Sequence, residues 1–267
     1  MNNIIISVIV PIKEIYKWEN NIIQNVELFK HFNFEYEFLF VYSNPIDNSI
    51  IQLKKALSNQ KKIIFIQDEG NGIYSAMNKG IESSKGDFLI FVGADDSFNY
   101  SKISNFLDIL KTNDSDLILF EVLFKGESKK RKVLKTEGGI TTLIHWTLGQ
   151  PRVHQAIVYK RSFIISKKIK YLTKLKVTSD YIFTSEFCSH KPSILKKNLP
   201  IIFYNKDGFS SKFSYSYRYL EHIQGYFLIP RLRKYLCFVI VSRVILILYK
   251  HVTTLLKKFK LIFLKTF

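Results

Sequence analysis

The sequence is short of several things, and each shortage narrows what the chain can be. Two cysteines, Cys188 and Cys237, among 267 residues allow no disulfide framework and no paired-cysteine metal knuckle, so a reducing compartment is the expectation. The start, MNNIIISVIVPIKE, has no basic leader segment and no small-residue cleavage site, and Pro11 cuts its apolar run short; it does not read as a signal peptide. No apolar stretch reaches the roughly 20 residues that a simple membrane span needs. No fixed-period repeat is present. Acidic residues are scarce, 22 against 40 Lys plus Arg, for a net charge of +18. That shortage is local: residues 1–100 hold 9 basic and 12 acidic side chains, residues 101–267 hold 31 and 10. All of the excess positive charge therefore follows residue 100, and such a half suits a polyanion: membrane phosphates, nucleic acid or an anionic substrate. The alternative is free use of Lys on solvated faces.

What is present is a core. Hydrophobic residues make up 47% of the chain, which excludes wholesale disorder. Residues 4–10, 37–42 (EFLFVY), 62–66 (KIIFI) and 87–92 (DFLIFV) are short, continuous apolar runs rich in β-branched and aromatic residues. They read as buried parallel strands. Between them, residues 18–31, residues 48–57 and the segment opening at Gly72 carry helical spacing. A β-α-β-α-β-α-β order predicts an open α/β sheet, and right-handed crossovers bring the loops after its strands to one edge. Pro11, Tyr42, Asp68 and Asp95 are thereby expected to be neighbours. Later segments are less regular: a strand over 117–124, a basic hairpin or loop over 125–135, a short helix over 141–148 and a short strand over 155–159. A helix over 179–188 with Ser179 as N-cap, a strand over 201–204 and a helical tail from Tyr215 complete the reading.

Two local signals carry chemistry. Asp95-Asp96 follows the fourth strand, where adjacent carboxylates suit a hard divalent cation bridging substrate phosphates; in isolation such a pair is a solvated turn. In and just after GIYSAMNKG, residues 72–80, the positions Ile73, Ala76, Met77 and Gly80-Ile81 share one helical face. Gly72 opens that helix, whose first N–H groups are free to meet an anionic or polar group. Spacing alone leaves it a capped core helix.

The run from Asp68 to Asp96, DEGNGIYSAMNKGIESSKGDFLIFVGADD, resembles the hallmark stretch of inverting family 2 glycosyltransferases of the GT-A fold, in particular the bacterial subgroup that builds capsule, lipopolysaccharide and exopolysaccharide. SVIVPIKE resembles that subgroup's first strand and nucleotide loop, PRVHQA (residues 151–156) its His-Gln element, and TSDY (178–181) the element holding the catalytic carboxylate. The resemblance implies a Rossmann-like, mostly parallel sheet flanked by helices, a nucleotide-sugar donor (a UDP-sugar first among them), Mn²⁺ or Mg²⁺, and inversion at the anomeric carbon. It implies Asp180 as general base, Asp95 and Asp96 at the metal, and Pro11, Lys13, Tyr42, Gly72, Asp95, His154 and Gln155 around the donor. It further implies a glycan or lipid-linked acceptor. The expected division is a catalytic domain over 1–213, with a donor half to residue 100 and an acceptor half after it, then a basic helical tail over 214–267. Three places depart from the pattern: Tyr42 stands where an Asp is usual, Ser43-Asn44-Pro45-Ile46-Asp47-Asn48 stands where a Gly-Gly-Ser-Thr-Asp-Gly run is usual and keeps only the later Asp, and Gly70 and Ser75 replace acids beside the helix turn. A catalytically inert scaffold of the same fold is one alternative. A basic nucleic-acid-binding protein is another, although no nucleic-acid-binding signature accompanies the charge.

The tail holds YLCFVIVSRVILILY, residues 235–249. As a helix this run is about 22 Å long, shorter than a bilayer core of about 30 Å, and Arg243 interrupts it. From Arg218 onward there are 10 basic residues and a single acid, Glu221. The pattern predicts a peripheral segment on the anionic inner face of a bacterial membrane, or else a helix packed on the core or at a dimer contact.

Overall fold

The computed structural model describes residues 5–13, 17–32, 34–43, 48–60, 62–69, 72–125, 153–205 and 212–263. The hairpin expected over 125–135 lies outside these residues beyond Lys125 itself. The helix expected over 141–148 lies outside them, as do Gly70, Pro151 and Arg152.

Eight strands form one sheet: β1 (Ile6–Ile12), β2 (Tyr36–Ser43), β3 (Ile63–Asp68), β4 (Phe88–Phe91), β5 (Ser97–Phe98), β6 (Leu117–Phe124), β7 (Ile157–Lys160) and β8 (Ile194–Tyr204). Their order is β3-β2-β1-β4-β7-β6-β8-β5. β1 to β4 run parallel, β7 is antiparallel to both β4 and β6, and β8 is parallel to β6. The helices are α1 (Glu19–Lys30), α2 (Asn48–Ala56), α3 (Ile73–Ser83), α4 (Ile103–Thr112), α5 (Arg161–Lys167), α6 (Ser179–Ser189), α7 (Tyr215–Leu228) and α8 (Leu236–Phe263).

The two-residue period of the strands decides which helix lies where. Ile6, Val8, Val10, Phe38, Phe40 and Ile90 face one side, where Ile22, Val26 and Phe29 of α1, Leu53 of α2 and Phe106 of α4 cover them. Ile9, Leu39, Leu89 and Phe91 face the other side, under Tyr74, Met77 and Ile81 of α3, Ile164 of α5, and Phe183 and Phe187 of α6. Each fully buried large apolar side chain contributes about 1.5–3 kcal/mol relative to exposure.

Three expectations change in detail. Pro11 lies within β1, paired with Val41, and not after it. Ile9 O accepts from Val92 N–H at 3.0 Å, so Pro11, two residues on, faces that same side past the end of β4, where a missing N–H breaks no ladder bond. The apolar face of α3 is Tyr74, Ala76, Met77, Gly80 and Ile81; Ile73, in the first turn, is 43% exposed. The N-cap of α6 is Thr178, not Ser179. The Ser179 hydroxyl is buried and accepts from Leu172 N–H at 2.6 Å.

The tail folds onto the body. Tyr226, Ile229, Leu232 and Val239 form a third apolar cluster with Leu175, Tyr181 and Ile182 on the outer side of α6. Gly225 permits this approach: a Cβ there would lie 2.4 Å from the Ile182 side chain. Arg243 is 1% exposed. Its guanidinium donates to Tyr181 Oη at 3.1 Å and sits 5.3 Å from the Tyr219 ring centre. The charge that interrupts the apolar run thus points into the protein.

Candidate active site

Register places the strand ends together. Ile12 pairs with Tyr42, and Ser43 with Asp68; β4 and β6 finish at the same edge, and β7 begins there because it runs the other way. Lys13, Tyr42, Gly72, Asp95, Asp96, His154 and Gln155 therefore share one edge of the sheet, joined by Lys125 after β6 and Asn205 after β8.

The acidic pair is built unequally. A Cβ on Gly93 would lie 2.6 Å from Asp95 Oδ1 and 2.7 Å from Asp96 Oδ2, so both carboxylates fold back over this glycine. Asp96 is 1% exposed. Its Oδ1 accepts from Asn205 N–H at 3.0 Å and its Oδ2 from Gly93 N–H at 3.2 Å. Burial first, and the Asp95 charge second, push its pKa up to about 7. Asp95 is half-buried, and its Oδ2 accepts from Asn205 Nδ2 at 3.3 Å. The loop beneath is pinned by α1, where Asn21 Nδ2 donates to the carbonyls of Ala94 and Asp96, and Asn25 Nδ2 to that of Asp96. Lys125 Nζ donates to the Asp95 carbonyl at 2.6 Å.

Among the described residues no group of three or more His, Cys, Asp or Glu could hold a metal unaided. The pair nonetheless fits a hard cation that takes few protein ligands and completes its shell with phosphate oxygens and water. Asp95, half-buried, is the carboxylate with room for it, since Asp96 is 1% exposed and turned onto backbone N–H groups.

Gly72 has φ of +93°, a conformation that glycine adopts without the Cβ clash, and it turns the chain from β3 into α3. Ser75 Oγ donates to Asp68 Oδ1 at 3.1 Å, so the departure at 75 supplies a donor where a second acid would repel. Tyr42 is buried, and its hydroxyl accepts from Lys54 Nζ at 3.0 Å. The Tyr42 phenolic proton is thereby left to donate elsewhere.

Asp180 sits in the first turn of α6, half-buried, with Oδ1 accepting from Tyr181 N–H at 2.8 Å. Burial raises its carboxyl to about 6; nearby backbone N–H groups oppose the shift and the Glu221 charge adds to it. The Tyr74 hydroxyl faces the same helix start, held neutral by burial and by the Asp180 charge. Asn78 of α3 fixes the segment before α6 from both sides, donating to Tyr171 O at 2.9 Å and accepting from Tyr171 N–H at 2.8 Å.

His154 is buried and stacked on Phe91. Its Nε2 lies 2.9 Å from Tyr171 Oη and its Nδ1 3.3 Å from Tyr159 Oη. Burial lowers its pKa to about 3, so it is neutral at working pH. From Tyr159 the bonds continue through Thr184 Oγ1 at 2.8 Å to the Asp180 carbonyl at 2.8 Å. His154 thus braces the helix that carries Asp180, and half-buried Gln155 is the member of that pair nearer to solvent.

The sequence model of glycosyl transferase family 2 matches residues 7–185, from β1 through most of α6. The chain belongs to glycosyl transferase family 2. Two curated relatives are a PGL/p-HBAD biosynthesis glycosyltransferase of Mycobacterium bovis, 25% identical over 55% of this chain and 56% of the relative, and the poly(ribitol-phosphate) beta-N-acetylglucosaminyltransferase TarP of Staphylococcus aureus, 28% identical over 57% of this chain and 48% of the relative. The chain spans about half the length of the curated relatives it matches. Among solved structures, S. aureus TarS 1–349 in complex with UDP-GlcNAc superposes with a TM-score of 0.66 at 18% identity, over 83% of this chain and 66% of that one. The fold is GT-A.

Reading the sequence missed Asn21, Asn25, Lys125 and Asn205 in this family 2 site. The two α1 asparagines did leave a signal: polar side chains four residues apart beside a buried helical stripe, a spacing that puts them on one face.

Proposed function

We propose that the chain is an inverting glycosyltransferase that moves a sugar from a nucleotide-sugar, a UDP-sugar first among the donors, to a hydroxyl of a glycan or lipid-linked acceptor in polysaccharide assembly. The observation that carries this reading is Asp180: a carboxylate at a helix start, raised to about 6 by burial, on the helix that Tyr74 and His154 link to the donor edge. Such a group is ionised at neutral pH and basic enough to accept a proton. It takes the acceptor hydroxyl proton while that oxygen attacks the anomeric carbon in line, and the bond to the diphosphate breaks on the opposite face, inverting the configuration. Lys13, Tyr42, Gly72 and Gln155 surround the nucleotide beside Pro11, with His154 behind them. A Mn²⁺ or Mg²⁺ ion at Asp95, with Asp96 holding the loop, supplies charge neutralisation on the leaving diphosphate.

The direct test is a thermal-shift screen of nucleotide-sugars with and without Mn²⁺. A donor at 100 times its dissociation constant stabilises the fold by about 2.7 kcal/mol. The expected result is a cation-dependent rise in Tm with UDP-sugars that Asp95→Asn removes; no shift with any nucleotide-sugar counts against the reading.

We also propose that α8 rests on an anionic membrane surface. Among the described residues no helix is long and apolar enough to cross a membrane. Along α8, Val241, Ile245, Leu248 and Val252 are each more than half exposed and fall on one face. Arg231, Arg233 and Lys234 lie exposed just before the helix. Apolar burial and Lys or Arg contact with anionic headgroups act together in such segments. Because Val239 and Arg243 are built into the body, removing the helix would also strip the core, so substitution is the cleaner probe. Ile245→Glu with Leu248→Glu is expected to abolish sedimentation with phosphatidylglycerol vesicles and leave Tm within a few degrees. Unchanged vesicle binding rejects the proposal. A loss of dimer in solution, with vesicle binding intact, identifies the face as a contact between copies.

A further inference from the structure

Glu221 is a buried acid in a basic tail, beyond the part of the chain that the family model matches. It lies on α7 at 5% exposure. Its carboxylate accepts four hydrogen bonds from one short stretch: Lys176 N–H at 2.7 Å, Val177 N–H at 3.0 Å, Thr178 N–H at 3.0 Å and Thr178 Oγ1–H at 3.2 Å. Three successive backbone N–H groups turned to one side form an anion-binding concavity, and here the anion is a side chain of the same protein. Charge-assisted bonds of this kind are roughly twice as strong as neutral ones. The stretch ends at the N-cap of α6, two residues before Asp180.

We propose that Glu221 is a positioning residue for Asp180, fixing the backbone from Lys176 to Thr178 and thereby the first turn of α6 from which the base reaches the acceptor. This inference rests on the reading of Asp180 as the base. The rest of the contact supports it. Tyr181, next to Asp180, is bonded by Arg243 of α8, and its hydroxyl lies 3.3 Å from that of Tyr226 of α7. The tail therefore grips both sides of the base, and its helices belong to the catalytic framework.

A purely structural role and a positioning role differ in what they do to pH dependence. The groups that face Asp180 are Tyr74 from α3, Tyr159 from β7, Tyr171 from the segment before α6 and Glu221 from α7. Burial keeps all three tyrosines neutral well above the working range. Glu221 is the charged member, and its negative charge raises Asp180. Neutralising it lowers Asp180, so the acidic limb of the rate profile moves to lower pH.

The experiment compares UDP release from UDP-glucose, UDP-galactose and UDP-GlcNAc, with Mn²⁺ present and water as acceptor, for wild type, Glu221→Gln, Glu221→Asp and Asp180→Asn across pH 5 to 8. Glu221→Gln is expected to lose about 10- to 100-fold in kcat, as a base misplaced by about 1 Å would, with donor KM unchanged and the limb displaced downward. Glu221→Asp keeps the charge on a shorter stem; its kcat falls while the limb stays in place. This variant carries the test if Glu221→Gln does not fold. Wild-type kcat in either folded variant, or a lower kcat in Glu221→Gln with an unmoved limb, overturns the proposal. Full activity in Asp180→Asn instead removes the base reading on which it stands, and no UDP release by the wild type sinks both.

Discussion

Asp180→Asn loses sugar transfer by about 10²- to 10⁴-fold, the range that one positioned general base contributes, while the donor still binds. The substitution is nearly isosteric. Asparagine keeps an oxygen for the Tyr181 N–H bond at 2.8 Å, so the first turn of α6 is preserved and the fold is expected to hold. What disappears is the lone pair that accepts a proton at neutral pH. The environment raises Asp180 to about 6 chiefly through burial, and an amide has no such equilibrium to tune. The proposed donor contacts lie elsewhere, at the Gly72 turn and the Asp95 loop, so isothermal titration with the UDP-sugar is expected to give a Kd within about twofold of wild type, well under 1 kcal/mol. Loss of transfer with loss of donor binding would instead place Asp180 in the donor site.

Phe183→Ala is the substitution expected to cost most in stability, about 3–5 kcal/mol. Phe183 lies one turn after Asp180 and is fully buried. Its ring stacks on Tyr171 at 4.1 Å and 7° and meets Tyr159 and Phe91 edge-on at 5.3 and 6.2 Å. These partners come from β4, β7 and the segment before α6, three elements that cannot all close on the space left by a lost ring. The transfer and cavity terms therefore add, and the aromatic contacts are lost besides. Against a total stability of about 5–15 kcal/mol, the loss corresponds to a Tm lower by about 10 °C. Thermal unfolding measures it, and a change under about 1 kcal/mol would mean that α6 is not anchored through this ring. Because Tyr171 also bonds His154, activity is expected to fall with stability.

The α/β frame was legible because its first half obeys local rules. Apolar β-branched runs, glycine punctuation and short connections define β1 to β4 and the edge where their loops meet. The Asp95-Asp96 pair was visible as a residue type in a position and the GIYSAMNKG segment as a capped core helix, whereas Asp180 stood out only through the resemblance of TSDY to a family element. What stayed hidden depends on partners far along the chain. Asn78, a polar residue of α3, pairs with Tyr171, 93 residues later. Asp96 and Asp95 look equivalent in sequence, yet Asn205, more than a hundred residues on, donates its backbone N–H to buried Asp96 and its side-chain amide to half-buried Asp95. β8 runs from Ile194, earlier than its apolar end at 201–204 suggests, because its start, Ile194 to Lys196, pairs with Leu117 to Leu119 of β6 before the register shifts. Arg243 read as a flaw in a membrane helix, and the Tyr181 hydroxyl that accepts a hydrogen bond from it lies 62 residues earlier. Glu221 did leave a trace as the lone acid in a basic tail. An isolated acid in such surroundings reads as a surface charge until the three N–H groups it accepts are seen together.

The +21 charge of residues 101–267 takes a more specific meaning in the fold. Part of it is internal: Arg243 bonds Tyr181 of α6, and Lys125 lies against the Asp95 loop. The basic residues before α8 flank the exposed apolar face that is proposed to meet lipid.

The most direct test is the pH dependence of kcat for the wild-type protein at saturating UDP-sugar. Asp180 must be ionised to accept the hydroxyl proton, so kcat is expected to be level near neutrality and to fall tenfold per pH unit below about 6, the value to which burial raises this carboxyl. Asp180→Asn is expected to show only a low rate without that limb. A wild-type kcat that stays level from pH 8 to pH 5, or a limb near 6 that persists in Asp180→Asn, would contradict the assignment of Asp180 as the base.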